Sequence, residues 1–232
     1  MQRRSFLEQS LRACSGGIAA GLVAGVTVGL GGPAQARRVF PEDGELDYLG
    51  LRQGDLGQVV GRRRVRFSRA SGDFVARIDT NLQLGAAATP RYRFEQHSEE
   101  VWRDGWLQAI VCDTDDDGAL WRVRAERQGG IFRGAVNDFS FTVSGYPITS
   151  TLWHRDVPSQ QALLDVADAR VKLISGRLLG EETVSAAGAK VSAKRYAIRG
   201  EINHDLWYDR DCSLVRFSLP LRDGSLLVFE AQ

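Results

Sequence analysis

Three side chains are the candidates for proton-transfer catalysis: His97, Glu100 and His154. His154 lies in the run Trp153-His154-Arg155-Asp156, where an imidazole beside an acid and a base can act in general acid–base chemistry. The alternative for the histidines is an ordinary solvated side chain, with His97 on a charged strand and His154 in a surface loop. The sequence leaves open whether the protein is an enzyme.

An acidic run at residues 113–118, DTDDDG, is a candidate metal site. The carboxylates of Asp113, Asp115 and Asp117 alternate along it as at the start of a calcium loop, and the glycine permits the bend. The twelfth position, where such a loop needs a bidentate glutamate, holds Arg124, so other ligands would have to come from elsewhere. The alternative is an acidic hairpin turn without a metal. Calcium is the one cofactor that the sequence suggests, because the histidines and cysteines lack the spacing of a zinc site.

Cys112 and Cys212 are the two cysteines outside the N-terminal leader. In an oxidising compartment they can pair, and a loop of about 100 residues closed in this way gains up to ~4–5 kcal/mol on the chain-entropy model. The alternative is two small buried hydrophobic side chains. Both possibilities stay open, because spatial proximity is not visible in a sequence.

Aromatic residues recur among polar ones in the predicted strands. This mixture favours a sheet face that lines a ligand-binding cavity over one that packs on a dry core. Glutamine and glutamate alternate with these aromatics, and a dry core would accommodate such polar groups only at a cost in free energy. The alternative is that the aromatics simply fill a core. The candidate ligand-binding residues are Tyr92, Phe94, Trp102, Trp153 and Trp207.

The element that positions most of these residues is a predicted hairpin with the two-residue loop Asp104-Gly105, followed by a third strand after the DDDG turn. The hairpin predicts one face that carries alternate residues from Tyr92 to Trp102. One residue of slip would exchange the faces. The expected opposite pairs are Trp102 with Leu107, Glu100 with Ala109 and Ser98 with Val111.

Turn signals recur about every eight to twelve residues along the rest of the chain, which is typical of an all-β fold. We expect about a dozen strands in a single curved, mostly antiparallel sheet, as a half-barrel or open barrel. At most one short helix is predicted, over Ser159–Ala169. The basic clusters Arg62-Arg63-Arg64 and Arg122/Arg124/Arg127 are interpreted as solvated strand faces interleaved with acids.

Residues 1–36 are predicted to be a cleavable export signal, which leaves residues 37–232 as a single domain. Arg3-Arg4 before an apolar run resembles a twin-arginine signal, with a general secretory signal as the alternative, so we expect a periplasmic protein. Cleavage takes away three of the 30 bases and one of the 29 acids. The remaining near-neutral charge argues against nucleic acid as a partner, and no integral membrane segment is expected after cleavage.

The YRFEQHSEEVWRDG segment and the late Lys194-Arg195-Tyr196, Gly200-Glu201 and Asp205–Asp209 segments resemble an uncharacterised family of exported bacterial all-β proteins. The resemblance covers nearly all of the chain after the leader and implies no established activity. The strand pattern is also similar, more loosely, to the half-barrels of periplasmic lipoprotein carriers, which is an analogy of fold alone.

These observations favour a periplasmic binding or carrier protein for an apolar or amphipathic ligand, or for a lipid-modified partner. One alternative is an enzyme of unknown reaction that uses Glu100, His97 or His154. Another is a structural protein stabilised by calcium.

Overall fold

The computed structural model describes residues 40–53, 58–86, 89–221 and 223–232, and the predicted export signal lies outside them. Fourteen strands and one 3₁₀ turn, Val157–Ser159, form within these residues. The strands are β1 Gly44–Arg52, β2 Val59–Ala70, β3 Asp73–Ala86, β4 Thr89–Arg103, β5 Trp106–Asp116, β6 Ala119–Gln128, β7 Ile131–Val136, β8 Phe139–Ser144, β9 Ala162–Leu164, β10 Val171–Ala186, β11 Ala189–Gly200, β12 His204–Asp209, β13 Leu214–Pro220 and β14 Leu226–Ala231.

All fourteen strands belong to one sheet in which every strand pair is antiparallel. The order runs from β8 back to β1, continues through the pairing of β1 with β14, and then runs from β14 back to β9. The two ends of this order are not paired, so the sheet is not closed into a barrel. The predicted single antiparallel sheet is therefore confirmed, with fourteen strands rather than about a dozen.

The strand β8 lies at one end of the sheet, and β9 and β10 lie at the other. Residues 145–170, which include β9, connect β8 to β10, and we call them the connecting segment. This segment packs onto the inner face of the sheet, the face that carries Val65, Ile78 and Trp102. The indole of Trp153 lies 5.5 Å from the ring of Phe67 and also 5.5 Å from the ring of Trp102. The segment thereby fills much of the space that the sheet partly encloses.

The predicted helix at Ser159–Ala169 is wrong. The three residues of β9 are fully buried and pair with β10, so apolar side chains here serve a strand rather than one face of a helix. The carboxylate of Asp165 accepts the Ala167 N–H, and that of Asp168 accepts the Arg170 N–H. Such local side-chain to backbone bonds stabilise turns in competition with a helix.

The β4–β5 hairpin turns at Asp104-Gly105 as expected, and both residues adopt positive φ angles. Trp102 lies opposite Leu107, as predicted, but the other two expected pairs are wrong. A bulge inserts Gln108 between the pairs of Val101 and Trp102, so the register shifts by one. Glu100 therefore faces Ile110, and Ser98 faces Cys112.

The outer face carries ion pairs between neighbouring strands. Arg77 contacts Glu99 at 2.7 Å, and Arg103 contacts Asp73 at 2.6 Å. These partly exposed pairs contribute little stability individually, but they neutralise Arg77 and Arg103. No helix in the described part of the chain has the length and apolar character needed to cross a membrane.

Candidate functional site

A row of polar side chains crosses the inner face of β2, β3, β4 and β5. Cross-strand pairing places Arg63 opposite Thr80, Thr80 opposite Gln96, and Gln96 opposite Thr114. We call these four residues the polar row. Their position follows from the two-residue repeat of a strand, because each lies two residues from an inward-facing apolar neighbour. The row ends at Trp121 of β6, which is partly exposed.

A cavity of about 200 Å³ lies between the polar row, the connecting segment and the strands β12 to β14. Its lining is divided evenly between polar and apolar residues. The apolar half is Leu82, Phe94, Trp121, Leu152, Ala167, Ile202, Leu219, Pro220, Leu227 and Phe229. The polar half is the polar row with Asp116, Ser150, Asp165, Asp168, Asn203 and His204.

Two glycines shape the apolar wall beside the polar row. Gly50 and Gly61 are direct partners on β1 and β2, and a Cβ on Gly50 would lie 2.9 Å from the ring of Phe229. A Cβ on Gly61 would lie 2.9 Å from the Asn81 carbonyl oxygen and 3.4 Å from the Phe229 ring. The absence of side chains at both positions lets the Phe229 ring lie close against the sheet.

Arg63 is the buried cation of the cavity wall, with 7% of its surface exposed. Its Nη2 donates to the Thr151 carbonyl oxygen, and its guanidinium carbon lies 5.4 Å from the centre of the Phe217 ring. Burial lowers the pKa of Arg63, but an arginine remains charged at neutral pH. Within the described chain its Nε–H has no hydrogen-bond partner, and the carboxylate whose charge acts on the guanidinium is that of Glu100.

His204 lines the same cavity as Arg63, and the charge of Arg63 acts on its imidazole. Burial lowers the pKa of His204 to about 4, with the charge of Arg63 acting in the same direction, so the ring is neutral at pH 7. The backbone of Ser218 bonds one side of the imidazole, whereas Nδ1 has no partner among the described residues. Thr80 Oγ1 is likewise buried and without a partner in the described chain. The wall thus offers polar atoms that the described residues leave without a hydrogen-bond partner.

The connecting segment contributes two carboxylates to the cavity wall, Asp165 and Asp168. Lys172 Nζ lies 3.0 Å from Asp168 Oδ2 and 3.9 Å from Asp165 Oδ2. Burial, followed by the charge of Asp168, raises the pKa of Asp165 to about 6. This carboxylate pair is therefore partly neutralised by a buried lysine of the same protein.

Of the five residues expected to bind a ligand, Phe94 lines this cavity. Trp102 and Trp153 instead lie in a tightly packed aromatic cluster with Phe40, Phe74 and His154. Tyr92 is buried, and Trp207 lies between the guanidinium groups of Arg195 and Arg216, whose carbons are 5.0 and 5.1 Å from its ring. Trp102 and Trp153 are thus enclosed by other rings and do not line this cavity, and their role in ligand binding stays a prediction.

The structure brings two of the three proton-transfer candidates together. Glu100 is fully buried, and its carboxylate accepts hydrogen bonds from Trp102 Nε1 and Trp153 Nε1, each at 3.0 Å, and from Thr151 Oγ1 at 2.7 Å. Burial raises the pKa of Glu100, and these donors act against that rise. The donors give Glu100 a structural role, because it ties the connecting segment to the sheet.

The imidazole of His154 packs against the same aromatic cluster, 5.2 Å from Trp102, and its Nδ1 accepts the Asp156 N–H at 3.1 Å. His97 lies on the outer face instead, where its Nδ1 is 2.7 Å from Asp79 Oδ1. The third candidate is therefore separated from the other two by the sheet.

The acidic run lies at the end of β5 and in the following turn. Asp113 is paired with Arg124 at 2.7 Å, and Asp115 with Arg93, while Asp117 is exposed in the turn. Within the described residues, no three histidine, cysteine or acidic side chains are grouped so that they could hold a metal ion. The calcium hypothesis stays a prediction.

The two cysteines are free in the structure rather than joined in a disulfide bond. Cys112 lies on the inner face, 3.6 Å from Thr114 Oγ1, and burial raises the pKa of its thiol to about 12. Cys212 lies in the turn after β12, where its sulfur contacts Arg155. Each thiol thus has its own surroundings in the fold.

Arg63 is the cavity residue that the sequence interpretation missed, since its cluster was expected to be solvated. The signal was present: Gly61, Arg63, Val65 and Phe67 alternate along β2, and both apolar members are buried. The two-residue period of a strand puts Arg63 on their face, whereas Arg64 points outward to Asp47.

Comparisons with known proteins extend the fold assignment and leave the chemistry open. The crystal structure of a β-barrel-like protein of domain of unknown function DUF1849 from Brucella abortus is similar, with a TM-score of 0.57 over 85% of this chain and 98% of that chain. Its sequence is 14% identical, so this similarity concerns the fold alone. None of the curated proteins matches this sequence. A family model for a domain of unknown function, DUF6134, matches residues 55–232.

Proposed function

Since the chain belongs to the DUF6134 family, whose description assigns no activity, we propose from its geometry that it is a binding or carrier protein for a small amphipathic ligand. The ligand would occupy the cavity between the polar row and the connecting segment. The observation that carries this proposal is the composition of the wall, which is half apolar and half polar and contains buried polar atoms without partners in the described chain.

The mixed wall favours a ligand with two kinds of surface. Buried polar groups are almost always hydrogen-bonded, so Arg63 Nε and Thr80 Oγ1 call for a partner. Water can supply hydrogen bonds, but it gains nothing from contact with Phe94, Leu227 and Phe229. A ligand with a polar head and an apolar body satisfies both halves of the wall.

The size of the cavity limits the ligand. Its volume of about 200 Å³ is smaller than the roughly 300–1,000 Å³ of typical ligand pockets. This supports a small molecule or the end of a single acyl chain over a bulky lipid. A lipid-modified partner protein therefore fits only through the tip of its lipid.

Native mass spectrometry of the protein, purified without organic solvent, tests the proposal. We expect an additional bound mass that is lost in the Ala167→Leu variant, because Ala167 lines the cavity and leucine would fill part of it. Ala189→Leu is the matched control, since Ala189 is exposed at the start of β11. A wild-type protein with no bound mass, and no thermal stabilisation by any of a panel of amphiphiles, would show that the cavity is not a binding site.

Export belongs to the proposal as well, and its support is the leader-like sequence of residues 1–36. We expect the protein in the periplasm, delivered by the twin-arginine route. Cell fractionation after the double substitution Arg3→Lys and Arg4→Lys checks the route. An unchanged periplasmic amount would argue for the general secretory pathway instead.

A further inference from the structure

Arg63 is a buried charge with no carboxylate hydrogen-bonded to it among the described residues, although the charge of Glu100 acts on it. Its partners are a backbone carbonyl oxygen and the face of the Phe217 ring, neither of which carries a negative charge. An unpaired charge inside a protein is costly, and arginine is usually buried beside a carboxylate or another oxyanion. The surroundings of Arg63 at the cavity wall therefore favour an anionic group beside it.

The neighbours of Arg63 are suited to receive that anion. Thr80 lies directly opposite on β3, so the two side chains project into the cavity with their Cβ atoms about 5 Å apart. Its hydroxyl group can donate to the same oxyanion as the Arg63 Nε–H, and both atoms lack a partner in the described chain. Two donors thus converge on one region of the wall.

The acidic residues of the cavity either lie on a distant strand or have a cation of their own. Asp116 is on β5, three strands away from β2, which corresponds to roughly 14 Å across the sheet. Asp165 and Asp168 are held by Lys172. Glu100 contributes a negative charge near Arg63, but its carboxylate is occupied by the tryptophan and threonine donors.

Resting on the binding function above, we propose that the ligand has an anionic head group, a carboxylate or a similar oxyanion, which pairs with Arg63 and Thr80. The apolar body lies against Leu82, Phe94, Leu227 and Phe229. The guanidinium group can form charge-assisted hydrogen bonds to such a head, and these are stronger than bonds between neutral groups. A neutral head group of equal length lacks this contribution.

Calorimetric titration with octanoate and with 1-octanol tests this proposal, because the two probes share a chain and differ in head-group charge. We expect the wild-type protein to bind octanoate about tenfold more tightly than octanol. Arg63→Met should abolish the preference and leave octanol binding within about twofold. Arg63→Lys should retain part of it, and Thr80→Val should reduce it.

The outcomes separate the two proposals. Equal binding of both probes by the wild type would overturn the anionic head group and leave the binding function standing. Binding of neither probe would contradict both. Two other measurements replace Arg63→Met as a test if circular dichroism shows that it does not fold. In that case we compare the preference for octanoate over octanol in Thr80→Val and, for the wild type, at low and high salt. A preference that neither the substitution nor the salt reduces would overturn the pairing of the head group with Arg63 and Thr80.

Discussion

Two buried charged side chains on the inner face, Glu100 and Arg63, differ in how far their hydrogen-bonding groups are satisfied. The carboxylate of Glu100 accepts two indole N–H groups and a threonine hydroxyl, all from nearby buried side chains. The guanidinium of Arg63 keeps a buried N–H without a partner in the described chain, on the wall of a cavity. We therefore assign Glu100 to the stability of the fold and propose that Arg63 contacts a ligand.

The role of Glu100 predicts a large loss of stability on truncation. Glu100→Ala would leave the indole N–H groups of Trp102 and Trp153 buried without an acceptor, so we expect the free energy of unfolding to fall by about 2–5 kcal/mol. Glu99→Ala is the control, because Glu99 is on the outer face in a partly exposed ion pair with Arg77. Urea denaturation measures both variants. A Glu100→Ala protein as stable as the control would refute the structural role.

Asp165 predicts a specific dependence of stability on pH. Its pKa is raised from an ordinary value of 3.8 to about 6, so between these pH values the folded state binds a proton more tightly than the unfolded state. The linkage relation then requires this contribution to stability to be lost as the pH rises through that window. Relative to Asp165→Asn, which cannot titrate, we expect the wild type to lose roughly 1–3 kcal/mol between pH 4 and pH 7. A constant difference in unfolding free energy across this range would contradict the assignment.

At the level of single elements, the sequence predicted strands well and failed where one residue changes a register. Alternation from Tyr92 to Trp102 identified the inner face of β4, and all six alternate residues are buried. The partners on β5 could not be predicted, because they depend on the bulge at Gln108. Polar and apolar residues already alternate irregularly along this strand, so the sequence pattern does not reveal the extra residue. The helix predicted at Ser159–Ala169 failed for a different reason. A short run of buried apolar residues is compatible with a strand as well as with a helix.

The close contact between the connecting segment and β10 predicts that one added methyl group, in Gly176→Ala, lowers the stability of the protein. A Cβ on Gly176 would lie 1.9 Å from the carbonyl oxygen of Pro158, so Gly176→Ala must displace the 3₁₀ turn from the strand. We expect a loss of about 1–3 kcal/mol in unfolding free energy, read as a lower melting temperature. Gly130→Ala is the matched control, because nothing lies within 4 Å of a Cβ there. Equal melting temperatures for the two variants would show that this contact is not close in solution.

At the scale of the whole molecule, the cavity results from one open sheet and a segment that crosses its inner face. The pairing of β1 with β14 joins the two halves of the sheet, and residues 145–170 link its two ends. Neither feature could be predicted from local patterns, because both depend on contacts between distant parts of the chain. For the same reason, the aromatic residues Trp102 and Trp153 were expected on a cavity wall although the connecting segment encloses them.

The most direct test of a ligand inside this cavity uses Trp121, which is partly exposed on its wall. Bromine at the end of an octyl chain quenches tryptophan fluorescence at short range, so a bromine-tailed octanoate should produce saturable quenching. We predict that Trp121→Phe removes the saturable part, whereas Trp106→Phe, which alters a tryptophan whose ring is tilted against that of Tyr146, leaves it in place. Quenching that does not saturate, or that persists undiminished without Trp121, would contradict binding in the cavity.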